Sequence, residues 1–251
     1  MKDPKHDKGN YYEFGTERQV KKPIFNELDF DAIDNVTYRL INTHDLTTFY
    51  DNHPDTINNL ITLTNSSLSL AYTSGDLRAQ RAVQQALFNL YQSYLAEPLS
   101  DACRNQYDPI LVQVRNRLER GWLEHERQRY GSLPEDLNPD DFVDQLRDLW
   151  CSHQASHHPL FDYLEAEASE RQIYYFFKSD SALNLLFFDL VAMTLVGSLP
   201  ETRGEISRNL WDEIEEVSNE FTHVNLYKDL LSRRGIDLPD DHYSHLYDWR
   251  H

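Results

Sequence analysis

Glycine, cysteine and long apolar runs are all scarce in this chain of 251 residues. It has only 8 glycines, fewer than an average protein, which argues against an architecture of sheets and tight turns. Its 2 cysteines allow one disulfide at most, which excludes a disulfide-stapled secreted scaffold and favours the reducing cytoplasm. The longest apolar run, residues 183–196, is about 14 residues long, whereas a membrane span needs about 20. We therefore expect a buried helix there.

Positive charge is also scarce, because 24 basic residues face 42 acidic ones and the net charge is -18. A surface this acidic repels phosphate backbones and anionic lipid headgroups. Nucleic-acid and membrane partners are therefore not expected, whereas such a surface suits cationic or zwitterionic small ligands. The first thirty residues contain no apolar core of a signal peptide.

Apolar residues recur with the helical period from residue 55 onward, which predicts an all-α protein. Residues 1–50 are polar and mixed in pattern, and we expect an arm with short extended pieces. Residues 51–134 predict a helical region with helices near 55–70, 76–96 and 110–130. The prolines and acids of residues 131–139 indicate a linker. Residues 135–251 then predict a second helical domain.

The sequence contains no phosphate loop, dinucleotide glycine fingerprint, serine elbow or paired-cysteine motif. Carboxylates and histidines on helices remain, and helical enzymes commonly build metal sites from them. Glu213 and His223 form the sharpest such pair. On one continuous helix they would lie about 15 Å apart along the axis, too far to share an ion. A break near residues 217–219 would bring them together, and Glu216 with His223 is a second option.

On spacing alone, Glu213 is interpreted as a solvated helix acid and His223 as a buried histidine with its hydrogen bonds satisfied. His153 and His157 have the i, i+4 spacing of metal ligands, but no third ligand accompanies them, and we expect an exposed helix end. His125 lies on a charged face and is interpreted as structural. The aromatic run at residues 174–177 is interpreted as core.

Several segments of the second half, in order and spacing, resemble the iron-containing redox enzyme family, the heme-oxygenase-like diiron oxidases. The resemblance covers about residues 150–238. It is carried by HPLFDYL at 158–164, IYYFFKSD at 173–180, FFDLVA at 187–192, NLWDE at 209–213, and His223 followed by LYKDLL at 226–231.

The resemblance implies a heme-oxygenase-like helical bundle with a metal site. By position, Asp180 replaces the family's first glutamate, Glu213 and His223 match the next two ligands, and Asp189 is a rival for the first role. The implied cofactor is Fe(II), as one ion or a diiron centre, with dioxygen as cosubstrate. Oxygen ligands with one imidazole suit Fe(II) or Mn(II).

The chain departs from the family pattern in two places. Glu215 and Val217 stand where the family has glycines, and the family's last ligand helix would lie beyond His251, so the domain is expected to be incomplete. Three residues in the tail have helical spacing and are the only local substitutes for the ligands of that last helix: His242, His245 and Asp248. We interpret them instead as part of a solvated tail.

These residues lead to one main functional hypothesis and two rivals. The first is a non-heme iron oxygenase or oxidase of a small amino-acid-like metabolite. The second is a catalytically degenerate or partial relative whose helical N-terminal half mediates dimerisation, as a homodimer, or binds a partner enzyme. The third is a cofactor-free relative of the same fold that acts on a bound small molecule.

Overall fold

The computed structural model describes residues 32–130, 139–214 and 221–237. The chain divides into two compact units, Met1–Glu135 and Asp136–His251. The described residues form helices and short helical turns and contain no strand. The predicted all-α class is therefore confirmed.

The first unit contains five α-helices in its described part. Asp76 begins the fourth of them as predicted, because its carboxylate accepts the backbone N–H of Ala79 at 2.8 Å. Asp108 begins the fifth in the same way, accepting the N–H groups of Ile110 and Leu111 at 3.0 and 2.9 Å. The five helices are α1 (Ile33–Ile41), α2 (Leu46–Asn52), α3 (Thr56–Leu68), α4 (Leu77–Leu95) and α5 (Pro109–Tyr130).

The core of the first unit forms where α1 packs on α4 and α3 packs on α5. Each helix contributes an apolar stripe, so the buried side chains meet at the centre of the unit. A π-helical turn, Ser69–Thr73, extends α3 toward α4. The buried apolar residues of the core are Ile33, Val36, Leu40, Ile41, Leu46, Leu60, Ala71, Val83, Ala86, Leu87, Leu90, Leu111, Val114 and Leu118.

The prediction of an arm with short extended pieces over residues 1–50 is wrong for residues 33–50. Those residues form α1 and most of α2, and Ile33, Val36 and Leu40 of α1 are fully buried. The helix has no side-chain cap at Ala32, so the sequence gives little sign of its start. Packing against α4 stabilises it instead, and the arm prediction for residues 1–31 lies outside the described residues.

The buried Asn105 amide holds the carboxyl-terminal end of α1. Its Nδ2 lies 2.9 Å from the carbonyl oxygen of Ile41, 2.7 Å from that of Thr43 and 3.3 Å from that of Leu40. The last carbonyls of a helix have no partner within the helix. One side chain from the turn before α5 therefore satisfies acceptors at the end of α1.

The second unit contains six α-helices in its described part. Ser169 and Gln172 form the predicted capping box, in which the Ser169 N–H donates to Gln172 Oε1 at 2.9 Å. Gly235, at φ +62, ends the last helix as predicted. The helices are α6 (Phe142–Ser152), α7 (Pro159–Ala166), α8 (Glu170–Asn184), α9 (Phe187–Leu195), α10 (Pro200–Glu213) and α11 (His223–Arg233).

Two helix pairs, α8 with α11 and α9 with α10, make the main contacts between helices in the described part of the second unit. Few side chains are buried there. The helix α6 contains no buried residue, and its apolar stripe is exposed. That stripe consists of Phe142, Val143, Leu146, Leu149 and Trp150.

The prediction of one buried helix over residues 183–196 is wrong. The Asn184 amide turns back onto the Asp180 carbonyl oxygen at 3.1 Å and onto Asp180 Oδ2 at 2.6 Å, at the point where α8 ends. The chain begins again as α9, and side chains such as Met193 and Val196 are exposed. Side-chain hydrogen bonding to the backbone thus competes with helix continuation. Within the described residues, no helix combines the length and the hydropathy required to cross a membrane.

We expect Asn105→Asp to destabilise the first unit strongly. A carboxylate would face three carbonyl oxygens and donate no hydrogen bond, so the loss should be at least about 3 kcal/mol of unfolding free energy. Urea unfolding followed by circular dichroism measures it. The control Asn59→Asp, on an exposed position of α3, should change the value by less than about 0.5 kcal/mol. Equal effects of the two changes would contradict the role of Asn105.

Candidate functional site

Glu213 and His223 come together at a junction between two helices. Glu213 is the last residue of α10 and His223 is the first residue of α11. Glu213 Oε2 lies 2.7 Å from His223 Nδ1, which is hydrogen-bond distance. The required break in the helix is therefore present, because the two residues belong to separate helices. The segment that was predicted to contain it, 217–219, lies outside the described residues, as do Glu215 and Glu216.

The two partners differ sharply in exposure. The Glu213 side chain is 8% exposed and the His223 side chain is 51% exposed. This is the reverse of the interpretation from spacing alone, which made Glu213 solvated and His223 buried. A buried carboxylate requires a hydrogen-bond donor, and the imidazole provides one. The pair therefore combines a fixed, buried acceptor with a ring that solvent can reach.

The helix ends around this pair contribute to its electrostatics. A negative charge at the carboxyl-terminal end of α10 is disfavoured by the dipole of that helix. The same carboxylate lies beside the first residue of α11, where the backbone N–H groups carry partial positive charge. Thr222 caps α11 and accepts the Asn225 N–H at 3.3 Å. The beginning of α11 thus offsets part of the cost of burying Glu213.

Asp180 lies on α8, next to the same helix that carries His223. The Asn184 amide donates to Asp180 Oδ2. Burial raises the pKa of the Tyr227 hydroxyl, and the nearby charge of Asp180 raises it further. The Tyr227 hydroxyl donates to the Phe177 carbonyl oxygen at 2.7 Å, which joins α8 to α11. Tyr227 follows His223 by four residues, so both lie on one face of α11. Asp180 therefore neighbours the face of α11 that bears the imidazole.

The donor chemistry of Glu213 and His223 fits a metal such as Fe(II) or Mn(II), which accepts carboxylate oxygen and imidazole nitrogen together. Among the described residues, however, no group of three or more His, Cys, Asp or Glu side chains could hold a metal ion. The structure thus joins two of the three predicted ligands, and the full set of Asp180, Glu213 and His223 stays a prediction.

The other candidate residues that the sequence suggested differ in their exposure and contacts. Asp189 lies in the first turn of α9, half-buried, and burial raises the pKa of its carboxyl. His153 and His157 are exposed, as expected. His125 stacks on Tyr72 with ring centroids 4.6 Å apart. The predicted tail substitutes lie outside the described residues: His242, His245 and Asp248.

The aromatic run at residues 174–177 does not form a buried core in this part of the chain. Tyr175 is 46% exposed, and the other three side chains are partly exposed. Sequence reasoning also gave no role to Tyr227 or Lys228. Tyr227 could have been found from its spacing of four residues from His223, whereas the environment of Lys228 depends on how α11 packs.

Lys228 is half-buried beside Tyr227, and burial lowers the pKa of its amine to about 8, because the charged form is penalised. At pH 8 we expect about half of these amines to be uncharged, against well under 1% for an unperturbed lysine. Acetic anhydride reacts with the uncharged amine. Mass spectrometry should show Lys228 acetylated at least about tenfold faster in the folded protein than in the urea-unfolded protein. A slower reaction in the folded protein would contradict this prediction.

Comparison with known proteins assigns the chain to no family. No protein-family model matches it, and no curated protein is found to be similar. The resemblance to the heme-oxygenase-like iron oxidases therefore rests on the residues themselves and stays a prediction.

Proposed function

We propose that the second unit is a non-heme iron oxygenase or oxidase that uses dioxygen to oxidise a small amino-acid-like metabolite. The observation that carries the proposal is the contact of 2.7 Å between the Glu213 carboxylate and the His223 imidazole. Two residues of the types that bind iron, ten positions apart in sequence, meet at the junction of α10 and α11.

The surroundings of the pair support a site that small molecules can reach. Half of the His223 side chain is exposed, so an ion, dioxygen or a metabolite has access to the ring. Asp180 is the third residue of the proposed site, and its neighbour Tyr227 lies on the His223 face of α11. One iron ion or two, when bound, would supply the oxidising chemistry with dioxygen. The chain's own residues would bind the ion, fix the ring and orient the substrate.

Two parts of the proposal rest on the sequence resemblance alone. They are the amino-acid-like nature of the substrate and the heme-oxygenase-like arrangement of the helices. The two cysteines are free thiols, Cys103 buried and Cys151 exposed. A cytoplasmic location stays a prediction.

Iron retention tests the proposal directly. The full chain would be loaded anaerobically with Fe(II), passed through a desalting column and assayed for iron. We expect the wild-type protein to retain metal, and Glu213→Ala and His223→Ala each to reduce retention at least about tenfold, as loss of a ligand or of its close partner does.

Two exposed residues serve as matched controls in that experiment. Glu205→Ala removes a carboxylate from the exposed face of α10, and His157→Ala removes an imidazole from the exposed turn before α7. Both variants should retain as much iron as the wild type. The oxidase proposal would be overturned if the wild-type protein retained no iron. It would also be overturned if Glu213→Ala and His223→Ala both retained as much iron as the wild type.

A second candidate function is dimerisation through the second unit, in a relative that is not an enzyme. The exposed stripe on α6 favours it, because contiguous apolar patches on a protein surface commonly mark interaction sites. Trp150 is 63% exposed and Leu149 is 59% exposed, and large aromatic side chains often dominate such interfaces.

Sedimentation velocity of the full chain tests this second candidate. We expect a wild-type dimer, and a monomer for Trp150→Glu, because a charge in the middle of an apolar interface is left without a partner. Asp148→Asn, on the same helix but outside the apolar stripe, should leave the dimer intact. A wild-type protein that is monomeric at all concentrations would exclude dimerisation.

A further inference from the structure

We propose that the second unit completes its hydrophobic core by pairing with the second unit of another copy of this chain, so that folding of the unit and dimerisation are one process. This inference rests on the dimerisation described above as the second candidate function, and it is independent of the oxidase proposal. It goes beyond that candidate, because the partner copy becomes a requirement for the stability of the unit.

The described part of the second unit has almost no core of its own. Residues 139–214 and 221–237 bury three apolar side chains, those of Leu186, Val191 and Leu231. Residues 32–130 of the first unit are of similar total length and bury fifteen, of which fourteen form one cluster. The first unit is therefore stabilised by a core within one copy, and the second unit is not.

Polar contacts join helices of the second unit, but they do not replace a core. The Tyr227 hydroxyl donates to the Phe177 carbonyl oxygen at 2.7 Å, and Glu213 meets His223 at the same distance. The net contribution of such hydrogen bonds to stability is small, because each one replaces a hydrogen bond to water. Burial of apolar surface is the dominant favourable term in folding, and it must offset the conformational entropy that every ordered residue loses. The unit therefore needs apolar surface from outside the copy.

The side chains that could form such a core are exposed on the second unit. Sixteen large apolar side chains are exposed in its described part, against eight in that of the first unit. With roughly half of each accessible, and roughly 150–250 Å² for each side chain, they present on the order of 1,500 Å² per copy. A standard interface takes about 800 Å² from each partner, and obligate dimers take more. The sixteen are Phe142, Val143, Leu146, Leu149, Trp150, Leu160, Phe161, Tyr175, Leu183, Leu190, Met193, Val196, Leu199, Trp211, Phe221 and Leu226.

The helix α6 shows why a second copy fits this surface. Its apolar stripe is centred on Leu146, and Asp144 and Asp148 each lie about 160° from Leu146 around the helix. When the stripes of two copies meet, these carboxylates point away from the contact. The negative charge there stays in solvent, where salt screens it beyond about 8 Å. An apolar stripe is also complementary to itself, as a twofold contact requires.

Hydrogen exchange of the full chain, followed by mass spectrometry across a dilution series, tests the inference. Sedimentation velocity of the same samples gives the fraction of dimer. We expect the amides of α8 to α11 to exchange at least about tenfold faster in the monomer than in the dimer, because these helices lose their core on dissociation. The amides of α1, α4 and α5 should exchange equally fast in both, since the core of the first unit lies within one copy.

Two substitutions make the test independent of the affinity of the dimer. Trp150→Glu on α6 and Met193→Glu on α9 change side chains that are 63% and 55% exposed in one copy, so a unit that folds alone should tolerate both. In the dimer each new charge would be buried without a partner. We therefore expect both variants to be monomeric and to exchange at least about tenfold faster in α8 to α11. The control Leu123→Glu, 61% exposed on α5 of the first unit, should change neither property.

The outcomes separate this inference from the dimerisation on which it rests. A monomeric variant in which α8 to α11 keep the exchange rates of the dimer would overturn the inference and leave dimerisation in place. Two variants that both remain dimeric would show that the exposed surface is not the interface, and would overturn the inference as well. A wild-type protein that is monomeric at every concentration would overturn both. If α8 to α11 are also unprotected in that monomer, a different molecule covers the surface.

Discussion

A carboxylate that is removed from water must find a hydrogen-bond donor, and this requirement shapes the junction between α10 and α11. Glu213 is almost fully buried at the end of one helix, and the donor it meets is the first side chain of the next. Replacing either partner leaves the other at a helix end without its hydrogen bond. The contact that forms the candidate site therefore also stabilises the local fold, so a substitution in the pair affects both.

The two units use their apolar residues in different ways. In the first unit the apolar stripes of α1, α3, α4 and α5 face one another and form a continuous core. In the described part of the second unit, most large apolar side chains are at least partly exposed, and α6 buries none. A unit with so little buried surface depends more on individual polar contacts, such as that of Tyr227 with Phe177. Its exposed apolar side chains are also the reason for placing the proposed dimerisation in this unit, whereas the sequence pointed to the N-terminal half.

Local chemistry made much of the helical framework predictable. Asp76 as a cap, the Ser169–Gln172 box and Gly235 as a stop all act through neighbouring backbone groups, so the sequence alone identifies them. Features that depend on contacts with other parts of the chain could not be predicted in the same way. The helix α1 depends on packing against α4, and the run at 183–196 divides where Asn184 bonds back to Asp180. For Glu213 and His223, the residue types pointed to a pair, but their exposure depends on where the end of α10 and the beginning of α11 lie, which no period in the sequence encodes.

The Asn105 amide also constrains the order in which the first unit can be completed. Its partners at Leu40, Ile41 and Thr43 precede it by 62 to 65 residues. Closing so long a loop costs chain entropy before any contact offsets it, and non-local contacts of this kind slow folding. During synthesis, the Asn105 amide can reach these carbonyl oxygens only after the turn before α5 has left the ribosome. The end of α1, the first helix in the described part of the unit, is thus bonded by Asn105 only after most of the unit has been made.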